Sequence, residues 1–519
     1  MAETFDYVVI GAGSAGCVLA NRLSEDPSAR VLLLEAGGED DVDEAHIPLA
    51  FSTLFKTRFD WNYETVEQKH LGDRSAYWPR AKMLGGCSSM NAMIYIRGNR
   101  TDYDAWPAGW SWDEVLPYFI RSEHNTRLAG PLHGVDGPLY VEDRRYTHEL
   151  SHAWVASAVA SGMKPTDDFN GATQEGAGLY QVTCRRGRRW STADAYLRPA
   201  LTRSNLTVRT AALVNRILFT GSRAVGVAYS WHGVEHEVGA STEVLLSGGA
   251  VNSPQLLMLS GVGPATHLRE LGIDVVAHLP GVGENLHDHP AVPMLWRTKG
   301  TTDLTSLATP GRLMRWQATG SGPFASNVGE AGAFFHTRDG LPAPDMQVHV
   351  APTLFYDNGL REPSVAGFTA GATLVDVASR GRLWLRSADP RWRPMIDPAY
   401  YAEPVDMDAM VSALRTLTEV AAEGPLAKYL AGRFLLSDGE LVDQVRAHTQ
   451  TLYHPVGTCA MGTGEHAVVD PTLRVHGIDG LRVVDASVMP KVPRGNTNAP
   501  TIMVAEKAAD LVRGRSSMR

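Results

Sequence analysis

Residues 7–35 constrain the fold more than any other stretch of the chain. Tyr7-Val-Val-Ile10 is a β-branched and aromatic run, which reads as a strand. Gly11-Ala-Gly13-Ser14-Ala15-Gly16 follows it, then Cys17-Val-Leu-Ala-Asn-Arg-Leu23, which reads as a helix. Val31-Leu-Leu-Leu-Glu35 is a second apolar run that ends in an acid. A strand, glycine-rich turn, helix and strand within about thirty residues make a βαβ dinucleotide-binding unit. Each glycine has a separate task. Gly11 permits the tight turn, Gly13 lets the backbone approach a pyrophosphate, and Gly16 lets helix and strand pack closely. Ser14 and Ala15 open the helix, whose N-terminus faces the phosphate charge. Glu35, with Ala36 beside it, stands about 20 residues past the turn, where an acid accepts from ribose hydroxyls.

The motif alone does not choose between a nicotinamide and a flavin dinucleotide. A flavin lies extended and needs a second contact surface far along the chain. Gly480-Leu-Arg-Val-Val-Asp485 has that character: a glycine, a buried strand and a terminal acid.

The chain has 519 residues, beyond the roughly 250–300 at which single cores stop growing. Residues 205–250 read as strands, at Leu206–Arg209, Ala224–Tyr229 and Glu243–Ser247, followed by a helix over Asn252–Ser260. Alternation at Asp345–Val350 and Gly381–Arg386 predicts further sheet. Met407–Ala422 and Thr501–Val512 read as helices. Nucleotide-binding character at both ends implies a discontinuous domain with another inserted. Net charge is −9, which argues against nucleic acid as the main partner. The basic run Arg185, Arg186, Arg188 and Arg189 reads as a solvated loop. The four cysteines include no CxxC pair and suggest a reducing compartment. No signal peptide is expected, nor an apolar run near the roughly 18 residues of a membrane span. A cytoplasmic enzyme is the expectation.

Three longer segments resemble the glucose–methanol–choline (GMC) oxidoreductases. They are Arg80-Ala-Lys-Met-Leu-Gly85-Gly86-Cys-Ser88-Ser89-Met90-Asn91, Gly249-Ala-Val-Asn-Ser253-Pro254 through Gly263-Pro264, and Tyr453-His454-Pro455-Val-Gly457-Thr458 with Gly495-Asn496-Thr-Asn498. The resemblance spans nearly the whole chain. It implies an α/β protein, α+β overall: a Rossmann-like FAD-binding domain over 1–155, 200–290 and 446–519, and a mostly antiparallel-sheet substrate domain over 156–199 and 291–445. It implies flavin contacts from Arg80, Gly85, Gly86, Ser88, Ser89, Asn91 and Ala92. Adenine contact falls to the backbone of Val214, and further cofactor contacts to Asp485, Ala486, Asn496 and Thr497. Some members carry histidine in place of Met90 and attach FAD there covalently. Methionine cannot form that link, so the FAD is expected to be noncovalent.

Oxidising an alcohol removes a hydroxyl proton and a carbon-bound hydride, which flavin N5 accepts. A base must take the proton, and histidine suits that role. His454 matches the family's catalytic histidine, and Asn496 its partner position, where an amide can donate to the substrate oxygen. Asn498 stands close by in sequence, so the choice between the two asparagines is open. Tyr453, Trp61 and Glu330 match positions that, in choline oxidase, surround a quaternary ammonium. The implied reaction is oxidation of a small primary or benzylic-type alcohol to the aldehyde, with oxygen or another electron acceptor. Choline remains an alternative substrate. So does non-redox or photochemical FAD chemistry on the same scaffold, as in hydroxynitrile lyases and decarboxylases. His287-Asp288-His289 reads as a loop near the flavin, and no metal is expected. Monomer and homodimer are both open.

Overall fold

The computed structural model describes residues 3–361, 363–435 and 440–515. At its centre the strand Thr4–Ile10 runs parallel to Val31–Leu34 on one side and to Val234–Leu246 on the other. Val8, Val9 and the whole of Val31–Leu34 are buried, as apolar strands must be when both faces of a parallel sheet are covered. Leu206–Arg209 extends the sheet past Val31–Leu34, and Leu481–Val483 pairs with Val244–Leu246, both parallel. One parallel sheet is therefore assembled from distant parts of the sequence. The first half of Val234–Leu246 pairs instead with Arg223–Trp231, which pairs with Ala212–Thr220, in an antiparallel meander.

The helix Ser14–Leu23 packs on this sheet at a distance only glycine allows. A Cβ on Gly16 would fall 1.8 Å from the carbonyl oxygen of Gly11. The C-terminal helix Asn498–Val512 lies against Ser14–Leu23 and is buried from Ala499 to Asp510. Glu506 inside it receives Arg22 and Arg121 at 2.8 and 2.7 Å and the hydroxyl of Tyr196 at 2.8 Å. The paired donors are what make a carboxylate tolerable at that depth.

A second sheet is antiparallel throughout. Its strands run in the order Leu430–Leu435, Pro290–Thr298, Gly367–Leu374, Met346–Ala351, Ala331–Phe335 and Gly176–Leu179. Gln450–Thr451 also pairs with Pro290–Ala291, so this sheet draws on residues past 445. The helix Pro404–Ala422 covers it with a stripe of Met410, Ala413, Leu414, Leu417 and Ala421, the spacing of one helical face.

One expectation is met and one needs correction here. The alternating segment at 381–386 forms a strand as expected, Arg382–Trp384, paired with Met395–Asp397 in a separate two-stranded ribbon. Alternation reports a pleat with two unlike faces, not which strand lies beside it. The basic run is not wholly solvated. Arg185, Arg186 and Arg188 are exposed, but Arg189 is buried. Its guanidinium donates to the carbonyls of Ala45 and Ser88 and to Asn91 Oδ1, at 2.7, 3.0 and 2.7 Å.

Candidate active site

A cavity of about 740 Å³ opens at the C-terminal ends of the parallel strands, between the two sheets. That is the crevice where open α/β sheets bind ligands, and its size suits a cofactor plus a small molecule. Gly13 meets Gly86 at its floor. A Cβ on Gly86 would stand 2.6 Å from the Cα of Gly13, so two glycine-rich segments cross in backbone contact. Glu35 is held by the backbone N–H groups of Ala12 and Gly37 at 2.7 and 2.8 Å. Burial raises its pKa, and those two bonds oppose the rise. Two of its roughly four lone-pair sites stay free for a ligand. Gly249, at φ +84°, has nothing within 4 Å of where a Cβ would stand. The floor is thus a cradle that side chains would fill, and its donors and acid fit a dinucleotide.

Gly11, Gly13, Ser14, Ala15, Glu35 and Ala36 line the cavity, as do Arg80, Gly86, Asn91, Ala92 and Val214. Asp485, Ala486, Asn496 and Thr497 line it too. Gly16, Gly85, Ser88 and Ser89, also expected at the cofactor, are not among the residues lining it. Ser88 Oγ donates to Gly85 O and accepts from the backbone N–H of Thr192, and Ser89 Oγ donates to Leu84 O. These bonds shape the glycine turn. The Asp485 carboxylate is full: Gly249 N, Ser253 Oγ, Ser487 N and Ser487 Oγ all donate to it. It clamps the start of the helix Gly249–Leu259.

The other end of the cavity is built by side chains. His454 is buried among His289, His349 and Asn496. Its Nδ1 lies 3.0 Å from His289 Nδ1, and its Nε2 lies 3.4 Å from Asn496 Nδ2. Burial first, then the neighbouring His289 and His349, hold its pKa well below the usual histidine value. The ring is neutral at pH 7 and can accept a proton. Asp288 fixes the backbone beneath it, accepting from His454 N at 2.7 Å and from Tyr400 and Thr451 hydroxyls at 2.5 Å. The turn is strained. Tyr453 has φ +70°, and across the cavity Val328 has φ +67°, a true outlier for a β-branched residue. Such strain gathers at sites where geometry matters. Arg80 donates to Tyr453 O at 2.6 Å, holding the turn in place. Asn498 does not approach His454; its Oδ1 accepts from Ser14 Oγ at 2.8 Å. The choice between the two asparagines thus falls on Asn496.

An apolar wall stands beside the histidines. Phe51 packs on Phe55 and Phe355 with centroids 6.0 and 5.9 Å apart, and Phe55 lies 5.8 Å from Tyr453. Met90 and Val328 belong to the same cluster. The Tyr453 hydroxyl is spent on Asn358 Oδ1 at 2.8 Å. Trp61 lines the cavity, stacked on Tyr63 with the Lys82 ammonium 4.7 Å over its ring. Glu330 is a correction. It does not line the cavity and is wholly buried. Its carboxylate accepts from His148 N, Ser151 Oγ and Ser326 Oγ at 2.8, 2.6 and 2.5 Å. It ties the strand Ala331–Phe335 to the helix Glu149–Ala160. The sequence reading placed His289 only in a loop near the flavin, and it missed His349 and the phenylalanine wall. Only the i, i+4 spacing of Phe51 and Phe55 hinted at a shared face.

Models of the GMC oxidoreductase family match residues 5–291 and 377–505. The chain belongs to the GMC oxidoreductase family. It is 43% identical to an alcohol dehydrogenase [acceptor] of Pseudomonas putida, over 98% of this chain and 95% of that protein. It is also 43% identical to the mitochondrial choline dehydrogenase of Mus musculus, over 99% of this chain and 90% of that one. A variant of the Aspergillus oryzae RIB40 formate oxidase, made to study FAD modification, superposes with a TM-score of 0.92. The two are 27% identical, over 99% of this chain and 98% of that one. This GMC oxidoreductase is therefore an FAD enzyme acting on CH–OH donors, with a small-molecule alcohol as substrate and a separate electron acceptor. Among the described residues, no helix is long and apolar enough to cross a membrane.

Proposed function

We propose that this GMC oxidoreductase oxidises a small, uncharged primary or benzylic-type alcohol to its aldehyde, in the cytoplasm, with FAD held noncovalently. FAD, when bound, supplies the hydride acceptor. The residues do the rest. Asn496 Nδ2 donates to the alcohol oxygen and steadies the charge that grows there. His454 Nε2 takes the hydroxyl proton. The phenylalanine wall excludes water and seats the carbon skeleton. The observation that carries this reading is a neutral, buried His454 whose Nε2 meets an amide beside an apolar wall.

An uncharged substrate is supported by where the carboxylates go. A quaternary ammonium seeks an anion, and Glu330 is sealed behind the wall. Asp60, which lines the cavity, is filled by Lys56 N, Asn62 N, Arg80 N and the Tyr77 hydroxyl. The named choline dehydrogenase relatives keep choline as the second reading, with the aromatic faces of Tyr453 and Trp61 in its favour. Noncovalent FAD is supported by Met90 in the cavity wall. A cytoplasmic setting is supported by four cysteines that are all unpaired. The parallel sheet supports 1–155, 200–290 and 446–519 as the FAD-binding domain.

The test is anaerobic bleaching of the bound flavin by an alcohol panel, followed by admission of air. Benzylic and small primary alcohols should bleach it faster than choline. A flavin that no alcohol bleaches points to lyase or photochemical activity and ends the proposal. Recovery of colour in air identifies oxygen as the acceptor. Acid precipitation should leave the yellow colour in the supernatant.

A further inference from the structure

Tyr180 and Gln347 are both buried, stand outside the cavity wall, and have no place in the chemistry above. Tyr180 follows the strand Gly176–Leu179, and Gln347 lies on Met346–Ala351, two residues from His349. Their polar atoms form a chain that ends on the base. The Tyr180 hydroxyl lies 2.6 Å from Val348 O. Gln347 Nε2 lies 3.3 Å from that hydroxyl and 3.2 Å from Asn496 Oδ1. Asn496 Nδ2 then meets His454 Nε2, and His454 Nδ1 meets His289 Nδ1.

The direction of every bond in this chain follows from its first member. A carbonyl only accepts, so the tyrosine gives its single proton to Val348 and can only accept from Gln347. Gln347 must therefore turn its NH₂ toward Tyr180. The second proton of the same NH₂ points at Asn496, which must answer with oxygen. Asn496 then presents its own NH₂ to His454 Nε2, which must carry the lone pair. The one proton of the neutral imidazole falls on Nδ1 and is donated to His289. Gln347 Oε1 is left buried without a partner. A buried acceptor is left unmet only where the alternative is worse. Here the alternative faces two oxygens with one proton.

We propose that Tyr180 and Gln347 are positioning residues that orient the Asn496 amide and thereby hold His454 in the tautomer whose Nε2 can act as a base. The proposal rests on the reading of His454 as the base. The polarity originates at a backbone carbonyl and reaches the reacting atom through three side chains. With Gln347 gone, nothing tells Asn496 which way to point. A flipped amide would offer oxygen to His454 Nε2, draw the proton there, and block the lone pair.

The experiment uses the FAD-bound enzyme labelled with ¹⁵N-histidine. Nuclear magnetic resonance reads which ring nitrogen of His454 carries the proton, its signals being identified by their loss in His454→Ala. The parent enzyme should show Nδ1–H. Gln347→Leu should shift His454 toward Nε2–H and slow flavin reduction about 10- to 100-fold, below the full loss of a general base. Its substrate affinity should fall by less than its rate, since the turned Asn496 amide withdraws a donor that matters most as charge grows on the alcohol oxygen. Gln347→Glu, which can only accept when ionised, should shift the tautomer further. An unchanged tautomer in Gln347→Leu overturns the proposal, and so does a changed tautomer with an unchanged rate. Should Gln347→Leu fail to fold with FAD, Tyr180→Phe carries the same test, since it removes one hydroxyl and keeps the ring. Failure of the base reading looks different. His454→Ala would then reduce its flavin at the parent rate, whatever the tautomers do.

Discussion

The two ends of the cavity are built by opposite means. The dinucleotide end is made of backbone: Gly13 and Gly86 in contact, and Glu35 held by two main-chain N–H groups. The reacting end is made of side chains, with those of residues 289, 454, 496 and 347 meeting in that order. Backbone sites fail by steric exclusion, all at once. Side-chain sites fail by degrees, through lost donors and altered proton positions. The same cavity should therefore answer two kinds of mutation in two ways.

The largest effect is expected at the backbone end. Gly86→Val places a branched side chain at φ +52° with a Cβ 2.6 Å from the Gly13 backbone, and neither segment can retreat. The purified protein should lose its visible flavin absorbance. Gly221→Ala is the control. It also has positive φ, +58°, but open space around the new Cβ and no place in the cavity wall, so it should carry strain of about 1–2 kcal/mol and keep most of its colour. Equal loss in both would mean that close approach is not what these glycines supply.

Next comes the base. His454→Ala should keep FAD and slow flavin reduction by roughly two to four orders of magnitude, measured by stopped-flow absorbance without oxygen. Bound flavin with a slowed rate is the signature of the side-chain end failing alone. Loss of flavin in this variant would erase the contrast between the two ends.

That contrast also explains what could be read from the sequence. Residues 7–35 declare themselves because a strand, turn and helix in succession need no distant partner, and Gly16 is glycine for a reason local to its own helix. His454 and Asn496 could be placed because their surrounding segments resemble a family, not because anything between residues 454 and 496 says that they meet. Glu330 misled for a physical reason. Its position matches one that faces substrate in choline oxidase, but the facing of its carboxylate depends on His148 and Ser151 from a distant segment as well as on nearby Ser326. Arg189 looked like one of four solvated arginines, and only the carbonyls of Ala45 and Ser88 make it buried structure. Tyr180 and Gln347 carry no local signal, since their task exists only once Gly176–Leu179 and Met346–Ala351 flank Ala331–Phe335 in the second sheet beside the turn at Asn496.

A smaller effect should appear with pH. His289 and His349 are pushed down to about 3, and His287 and His454 well below 6.5, all first by burial. Each imidazole is neutral when folded and takes a proton when unfolded. Stability is therefore unaffected by these groups above about pH 6.5 and falls as pH drops below it, down to the lower folded values. The slope approaches about 1.4 kcal/mol per pH unit for each group. Chemical denaturation at stepped pH should show a steep acid loss, and His349→Gln should remove one proton's share of it. An unchanged slope would mean that His349 is protonated in the folded state.

The smallest expected change tests which end Glu330 belongs to. Glu330→Gln replaces one acceptor oxygen with an NH₂ facing donors from His148, Ser151 and Ser326. One buried donor loses its partner, which costs about 1–3 kcal/mol of stability and should lower the thermal midpoint by several degrees. The ratio of flavin-reduction rates for choline and benzyl alcohol should not move, because the carboxylate sits behind the wall rather than in it. A shift of that ratio toward the uncharged alcohol, with stability unchanged, would return Glu330 to the substrate site. The cavity would then hold an anion at its reacting end, and choline would become the favoured substrate.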